Sequence, residues 1–171
     1  MTAAFPDPKT EEQDRIARMV ELDRVASALK RNGDIEGAIK YAGEAFELRM
    51  MCGGTQPEAW TKFPYYLQAG GRLDDALGIF SWLAANAVTL IGRSSDLAGQ
   101  PPFVVKWMGK LLAAHVHDKA RLACLRAGRR EQARHHKEQW KLYCEEAEKL
   151  ERIVNLHRDR QRSKSWRQPQ A

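Results

Sequence analysis

The chain has 171 residues, of which 43% are hydrophobic and 29% charged, so it is long and apolar enough for one domain with a sizeable core. Its net charge of +6 is uneven, because residues 119–171 hold 15 Lys and Arg against 7 Asp and Glu, whereas residues 1–118 hold 13 against 15. The charged fraction suits a soluble surface, and the uneven charge confines any polyanion-binding hypothesis to the last third.

The first residues predict an irregular lead-in over 1–9, which contains two prolines. Thr10 is a plausible helix start because two acidic residues follow it and suit the positive end of a helix dipole. The first predicted helix then runs to about Asn32, with apolar residues at steps of three and four. Gly33 ends it, and Asp34 is predicted to cap the second helix.

A break at Gly53-Gly54-Thr55 separates the second and third predicted helices, with Thr55 as the expected cap of the third. Pro64 predicts either a kink or a helix that begins at Pro64, because a mid-helix proline removes a hydrogen bond. The fourth helix is predicted from Leu73 to Ile91 and is apolar nearly all round. Such a helix is buried on several sides or offers a face to another chain.

The longest uncharged run, from Ala76 to Gly92, lies in this fourth helix and is slightly too short to span a membrane. We therefore expect a buried core helix and no membrane contact. The N-terminus lacks the basic-then-apolar order of a signal peptide. The odd set of Cys52, Cys124 and Cys144 argues against a disulfide framework, so we expect a reducing, cytoplasmic location.

After a linker from Gly92 to Pro102, a fifth helix is predicted to reach Ala127 and a sixth, long helix to start near Arg129. The apolar stripe of the sixth helix stops at Leu156. We therefore divide the chain into the lead-in, a helical-hairpin domain over 10–156, and a basic overhang or tail over 157–171.

A repeated pattern joins these helices, in which a glycine is followed five residues later by an alanine. It occurs at Gly33 and Ala38, at Gly71 and Ala76, and at Gly128 and Ala133. Glycine supplies the left-handed residue that closes one helix, and alanine lets the next helix approach its partner closely. The pattern predicts an all-α fold of about six helices arranged as three antiparallel hairpins.

The first two hairpins resemble tetratricopeptide repeats, which are arrays of helix pairs with a period of roughly 34 residues. The residues that carry the resemblance are Leu22, Val25, Ala26, Leu29, Ala38, Tyr41 and Ala45 in the first hairpin and Trp60, Leu67, Gly71, Ala76 and Phe80 in the second. The match is best over 19–83 and loose over 102–156, where the helices are longer. The resemblance implies a right-handed array.

The same resemblance implies a concave groove lined by the first helix of each pair, and hence a non-enzymatic adaptor or scaffold that binds another protein or peptide. The positions that would line it are Asp23, Ser27, Lys30, Thr61, Tyr65, Gln68, Asp118, Leu122 and Leu125. The family's clamp for C-terminal carboxylates is not expected, because Asp23, Thr61 and Asp118 stand where Lys and Asn are usual.

Five histidines invite a metal hypothesis, since folding about Gly128 would bring His117 near residues 136 to 140, and His136 and a cysteine would be further ligands. No two histidines have the i, i+4 spacing typical of zinc-binding helices, so we interpret them as solvated or helix-packing residues. No phosphate loop, dinucleotide fingerprint or nucleophile elbow occurs either. We therefore expect no metal, no cofactor and no catalytic residues.

The alternative function is nucleic-acid binding by the basic C-terminal helix, because arginine suits phosphate and Trp166 could stack on a base. The polyanion-binding candidates are Arg126, Arg129, Arg130, Arg134, Arg158, Arg160, Arg162, Lys164 and Arg167. The rival interpretation is an ordinary solvated helix end. Self-association through the fourth or sixth helix is a further hypothesis.

Overall fold

A computed structural model describes residues 8–165, which form an all-α fold without strands in that range. The six α-helices are α1 (Pro8–Arg31), α2 (Ile35–Cys52), α3 (Pro57–Ala69), α4 (Leu73–Gly92), α5 (Pro102–Arg126) and α6 (Arg130–Ser165), with a short 3₁₀ turn at Ser95–Leu97. The predicted all-α class, the six helices and the long C-terminal helix are confirmed.

Three turns connect the helices within the hairpins, and they share one geometry. Gly33, Gly71 and Gly128 have φ angles of 83°, 79° and 74°, which is the left-handed conformation that glycine tolerates best. In the first turn, Asp34 N donates to Leu29 O at 3.0 Å and Gly33 N to Lys30 O at 3.1 Å. The other two turns repeat both bonds, so the three helices end in the same Schellman motif.

The alanine that follows each turn is buried. Ala38 and Ala76 are fully buried and Ala133 is 3% exposed. Asp34 caps α2 as predicted, since its side chain accepts a hydrogen bond from Gly37 N at 2.8 Å. The predicted hairpin turns are thus confirmed at all three places.

The start of α3 differs from the prediction in two respects. Gln56, not Thr55, stands at the N-cap position, and Pro57 is the first helical residue, where its missing N–H leaves no bond unmade. The helix also continues through Pro64 without a break, so the prediction that it begins there is wrong. Pro64 is fully buried, and this burial offsets the hydrogen bond that the proline removes. A kink at Pro64 stays a prediction.

The first helix begins at Pro8, before the predicted start at Thr10, and the rest of the predicted lead-in lies outside the described residues. Acidic Glu11 in its first turn suits the helix dipole. The predicted irregular segment over 1–9 therefore needs correction at its last two residues, which are helical.

Each helix packs on the next in the chain, and α3 also contacts α5. The core runs through all these contacts, with Trp60, Phe80, Leu83, Leu112 and Val116 among its fully buried side chains. Among residues 8–165, one helix, α4, is long and apolar enough by length and composition to cross a membrane. It packs against α3 and α5 and contributes Phe80, Leu83 and Leu90 to the core, and 39% of its apolar window is buried.

The pairing of α5 with α6 extends further along α6 than the sequence suggested. The rings of Phe103 and His157 lie edge to face, with their centroids 5.3 Å apart. The Arg158 guanidinium carbon lies 5.7 Å from the centroid of the Trp107 ring. The helix continues to Ser165. The segment that we predicted as an overhang or tail from residue 157 therefore begins as helix packed on α5, and residues 166–171 lie outside the described range.

Candidate functional site

The first helices of the three hairpins meet side by side through polar side chains. Between α1 and α3, Asp23 Oδ2 lies 3.3 Å from Lys62 Nζ, and the Ser27 and Tyr66 hydroxyls are 3.3 Å apart. Between α3 and α5, Thr61 Oγ1 lies 3.3 Å from His115 Nε2. We call the surface that α1, α3 and α5 form together the groove face.

A cavity of about 360 Å³ opens on the groove face between α3 and α5. Tyr65, which is 42% exposed, stands at its edge, and the buried ring of Phe80 reaches it from α4. The complete lining is Glu58, Thr61, Lys62, Tyr65, Gln68, Phe80, Lys119, Leu122 and Arg126. Its volume is at the lower end of the roughly 300–1,000 Å³ typical of ligand sites.

A second depression lies beside it, between α1 and α3, and includes Asp23, Ser27 and Lys30. Asp23 is buried and is bound by Arg49 Nη2 at 2.8 Å as well as by Lys62. Arg49 also donates to the carbonyl of Ala59 at 3.1 Å, so it joins α2 to both first helices. Asp23 therefore stabilises this contact between the first two hairpins.

The nine predicted groove residues all lie on α1, α3 and α5, but they do not form one site. Thr61, Tyr65, Gln68 and Leu122 line the cavity, and Asp23, Ser27 and Lys30 line the neighbouring depression.

Two of the nine line neither cavity. Asp118 is held by Arg121 at 2.6 Å, and Leu125 is 48% exposed beyond the lining. The burial of Thr61 also makes it a packing residue rather than an open contact.

Sequence reasoning missed Glu58, Lys62 and Lys119, which complete the cavity wall. The spacing of these residues along the two helices could have identified them. Glu58, Lys62 and Tyr65 are four and three residues apart on α3, and Lys119, Leu122 and Arg126 are three and four apart on α5. Such residues share one helix face, so they could have been grouped with the predicted positions.

Positive charge gathers around Tyr65. The Lys30 ammonium lies 3.8 Å from the centre of its ring. Hydrogen bonding to Lys30 and the charge of that ammonium lower the pKa of Tyr65, burial opposes them, and Arg126 and Lys119 act in the lowering direction. Lys119 and Arg126 of the cavity lining and Lys30 of the neighbouring depression are thus three cations around one phenol on α3.

The histidines on α5 and α6 pack against each other, as the sequence interpretation expected. His117 Nδ1 lies 3.0 Å from His136 Nδ1, and the His117 ring stacks on Tyr143 with a centroid distance of 5.4 Å. Burial, with the charges of His136 and His135, lowers the pKa of His117 from 6.5 to about 4.

Within residues 8–165 no group of three His, Cys, Asp or Glu side chains is placed to hold a metal ion. All three cysteines are unpaired.

The contact between His117 and His136 makes the free energy of unfolding depend on pH. Burial also lowers the pKa of His136, so both rings are neutral in the folded state at neutral pH. The contribution of this pair to the free energy of unfolding is therefore fully present above the unfolded histidine pKa of 6.5. It is lost as the pH falls toward about 4, because the histidines of the unfolded chain bind protons more readily than those of the folded chain. Urea unfolding at several pH values should show this loss, and His117→Phe should make it shallower. An equally steep loss in the variant would contradict the assignment.

The basic residues that the sequence grouped as a polyanion site are divided between distant places. Arg126 lies in the cavity, and Arg129 pairs with Asp74 on α4, with Nη2 at 3.1 Å from Oδ2. Arg130 and Arg134 are exposed at the start of α6, whereas Arg158, Arg160 and Arg162 lie near its other end.

Between Arg134 and Arg158 the helix rises by roughly 36 Å, at 1.5 Å per residue. The two groups are therefore too far apart to form one patch. The side chain of Lys164 and the whole of Trp166 and Arg167 lie outside the described residues.

The faces that we considered for self-association carry scattered exposed apolar residues. On α4 these are Trp82 and Val88, and on α6 they are Leu142, Ile153 and Leu156. Charged residues such as Glu145 and Lys149 stand between those of α6. Self-association through either helix stays a hypothesis.

Comparisons of the chain with protein-family models, with curated proteins and with solved structures find no match. The tetratricopeptide resemblance therefore depends only on residues of this chain.

Proposed function

We propose that this chain is a non-enzymatic adaptor of tetratricopeptide-like type, whose groove face binds a segment of another protein. The observation that carries the proposal is the cavity between α3 and α5 with exposed Tyr65 at its edge. Aromatic side chains that are half exposed beside a cavity are frequent anchors of protein interfaces. The three unpaired cysteines favour a cytoplasmic protein.

Three repeated turns support the array-like part of this proposal, as do the side-chain contacts of α1 with α3 and the packing of α3 on α5. In helical arrays each unit stacks on its neighbours and leaves an extended face for binding. The groove face is such a surface, since its side chains come from α1, α3 and α5 in turn.

Nucleic-acid binding through the C-terminal helix is the less favoured alternative. Arg129 is paired with Asp74, and Arg158 lies against Trp107, so two of its arginines are engaged within the fold. Phosphate binding benefits from several cations along one surface, and the separation along α6 works against this.

The experiment is an affinity purification from the native cell with three variants. Tyr65→Ala should remove the proteins that the parent chain retains, because it removes the exposed anchor of the cavity. Trp82→Ala is the matched control, since Trp82 is 43% exposed on α4 and Tyr65 is 42% exposed on α3.

The third variant changes Arg160, Arg162, Lys164 and Arg167 to Gln and should retain the same proteins. Loss of binding in this variant, with full binding in Tyr65→Ala, would reject the groove in favour of the basic helix.

A further inference from the structure

Three cations lie around Tyr65, two of them in the lining of the cavity and the third, Lys30, in the neighbouring depression. Lys30 comes from α1, and Lys119 and Arg126 come from α5, one turn on either side of Leu122. Among the residues that the structure describes, none of the three has a carboxylate within ion-pair distance. The nearest recorded partner of Arg126 is the amide oxygen of Gln68, at 3.5 Å.

The acidic residues nearby are mostly neutralised by other groups. Asp23 is shared between Arg49 and Lys62, and Asp118 accepts two hydrogen bonds from Arg121 at 2.6 and 3.0 Å. Only Glu58 adds an acidic side chain to the cavity lining. A ligand that enters therefore meets a local excess of positive charge in a partly enclosed space, where charges interact more strongly than in water.

The wall between these cations is apolar and small. Half-buried Leu122 lies on α5, and buried Phe80 of α4 also lines the cavity. A glutamate side chain fits this combination, because its methylene groups can pack on Leu122 while its carboxylate reaches Arg126 or Lys119. Arginine binds carboxylates in a geometrically favoured two-bond arrangement.

Nucleic acid fits the same cations less well. Sequence-tolerant binding of single strands depends on bases stacking on open aromatic faces. One face of Tyr65 is already covered by the Lys30 ammonium, and Tyr66 is buried. An extended acidic peptide needs no such open ring face.

We infer that the groove face selects an acidic segment of its partner, whose carboxylates are bound by Lys119 and Arg126 beside Tyr65. The inference rests on the proposed function, which it narrows to one class of partner. It differs from a clamp for a chain terminus because no terminal carboxylate is required.

The test is fluorescence anisotropy of the full chain with a labelled peptide of alternating glutamate and leucine. Reversal of the two α5 charges, Lys119→Glu with Arg126→Glu, should weaken binding by roughly tenfold or more, because attraction becomes repulsion. The control is Lys149→Glu with Arg152→Glu, which makes the same change in net charge on exposed positions of α6 and should bind like the parent chain. Circular dichroism of each variant establishes that it is folded.

The salt dependence of peptide binding is the second measurement of this test. Raising the ionic strength from about 0.01 M to about 0.15 M shortens the Debye length from about 30 Å to about 8 Å. The parent chain should therefore bind the peptide several-fold more weakly at the higher ionic strength. The α5 variant should lose most of this dependence. Equal weakening by both charge reversals would mean a general charge effect and would overturn the inference.

Two further outcomes separate this inference from the proposed function. If Tyr65→Ala abolishes retention of cellular partners while the α5 charge reversal leaves it intact, the groove function stands and the acidic class is wrong. If labelled oligothymidylate binds more tightly than the peptide and displaces it, the acidic-peptide inference is likewise overturned.

Discussion

Gly109→Ala should destabilise the protein by about 2 kcal/mol, even though alanine is the better helix former by roughly 1 kcal/mol. Gly109 is buried on α5 and faces Val88 of α4. An added Cβ would lie 2.7 Å from the Cα atom of Val88 and 3.0 Å from its backbone N. Because backbone atoms cannot rotate away, α4 and α5 must separate, and their shared core loses contact.

Gly78→Ala is the matched control for this change. Gly78 is an exposed glycine inside α4, and a Cβ there meets nothing within 4 Å. The substitution should raise stability by up to about 1 kcal/mol through helix propensity alone. Urea unfolding of both variants measures the two effects, and a stabilised Gly109→Ala protein would contradict the close packing of α4 on α5.

Arg49→Met should destabilise the protein by roughly 3–5 kcal/mol, which is typical of removing one partner from a buried ion pair. Arg49 and Asp23 have side chains only 6% and 11% exposed, and their closest atoms are 2.8 Å apart. Without Arg49 the carboxylate stays buried with only Lys62 beside it, and the carbonyl of Ala59 loses its donor.

Replacing both partners tests whether the cost comes from the unpaired charge. Asp23→Leu combined with Arg49→Met should recover more than half of the lost stability, since apolar residues can replace a buried pair at little cost. Arg24→Met is the control, because the Arg24 and Glu21 side chains form an exposed pair that contributes little. A double variant as unstable as Arg49→Met would contradict this account.

Local signals made the hairpins predictable. Each turn is set by a glycine that adopts positive φ and by hydrogen bonds that span only six residues, so neighbours in sequence contain the whole motif. The cap at Asp34 is equally local. Thr55 failed as a cap because Pro57 begins the helix two residues later, and Gln56 takes the preceding position.

Contacts between distant residues account for what the sequence did not predict. The Asp23–Arg49 pair joins residues 26 apart, and the pairing of Arg129 with Asp74 joins residues 55 apart. No periodicity identifies such partners before the helices are packed. As a result, Asp23 was assigned to an open groove although it is buried, and Arg126 was grouped with the polyanion-binding residues although it lines the cavity.

Hydrogen exchange of the full chain, with and without the glutamate–leucine peptide, tests the central claim most directly. If the groove face is the binding surface, backbone amides of α3 and α5 around Tyr65 and Leu122 should exchange more slowly with peptide bound, while those of α6 near Arg160 stay unchanged. Protection confined to the last turns of α6, with none in α3 or α5, would contradict the account.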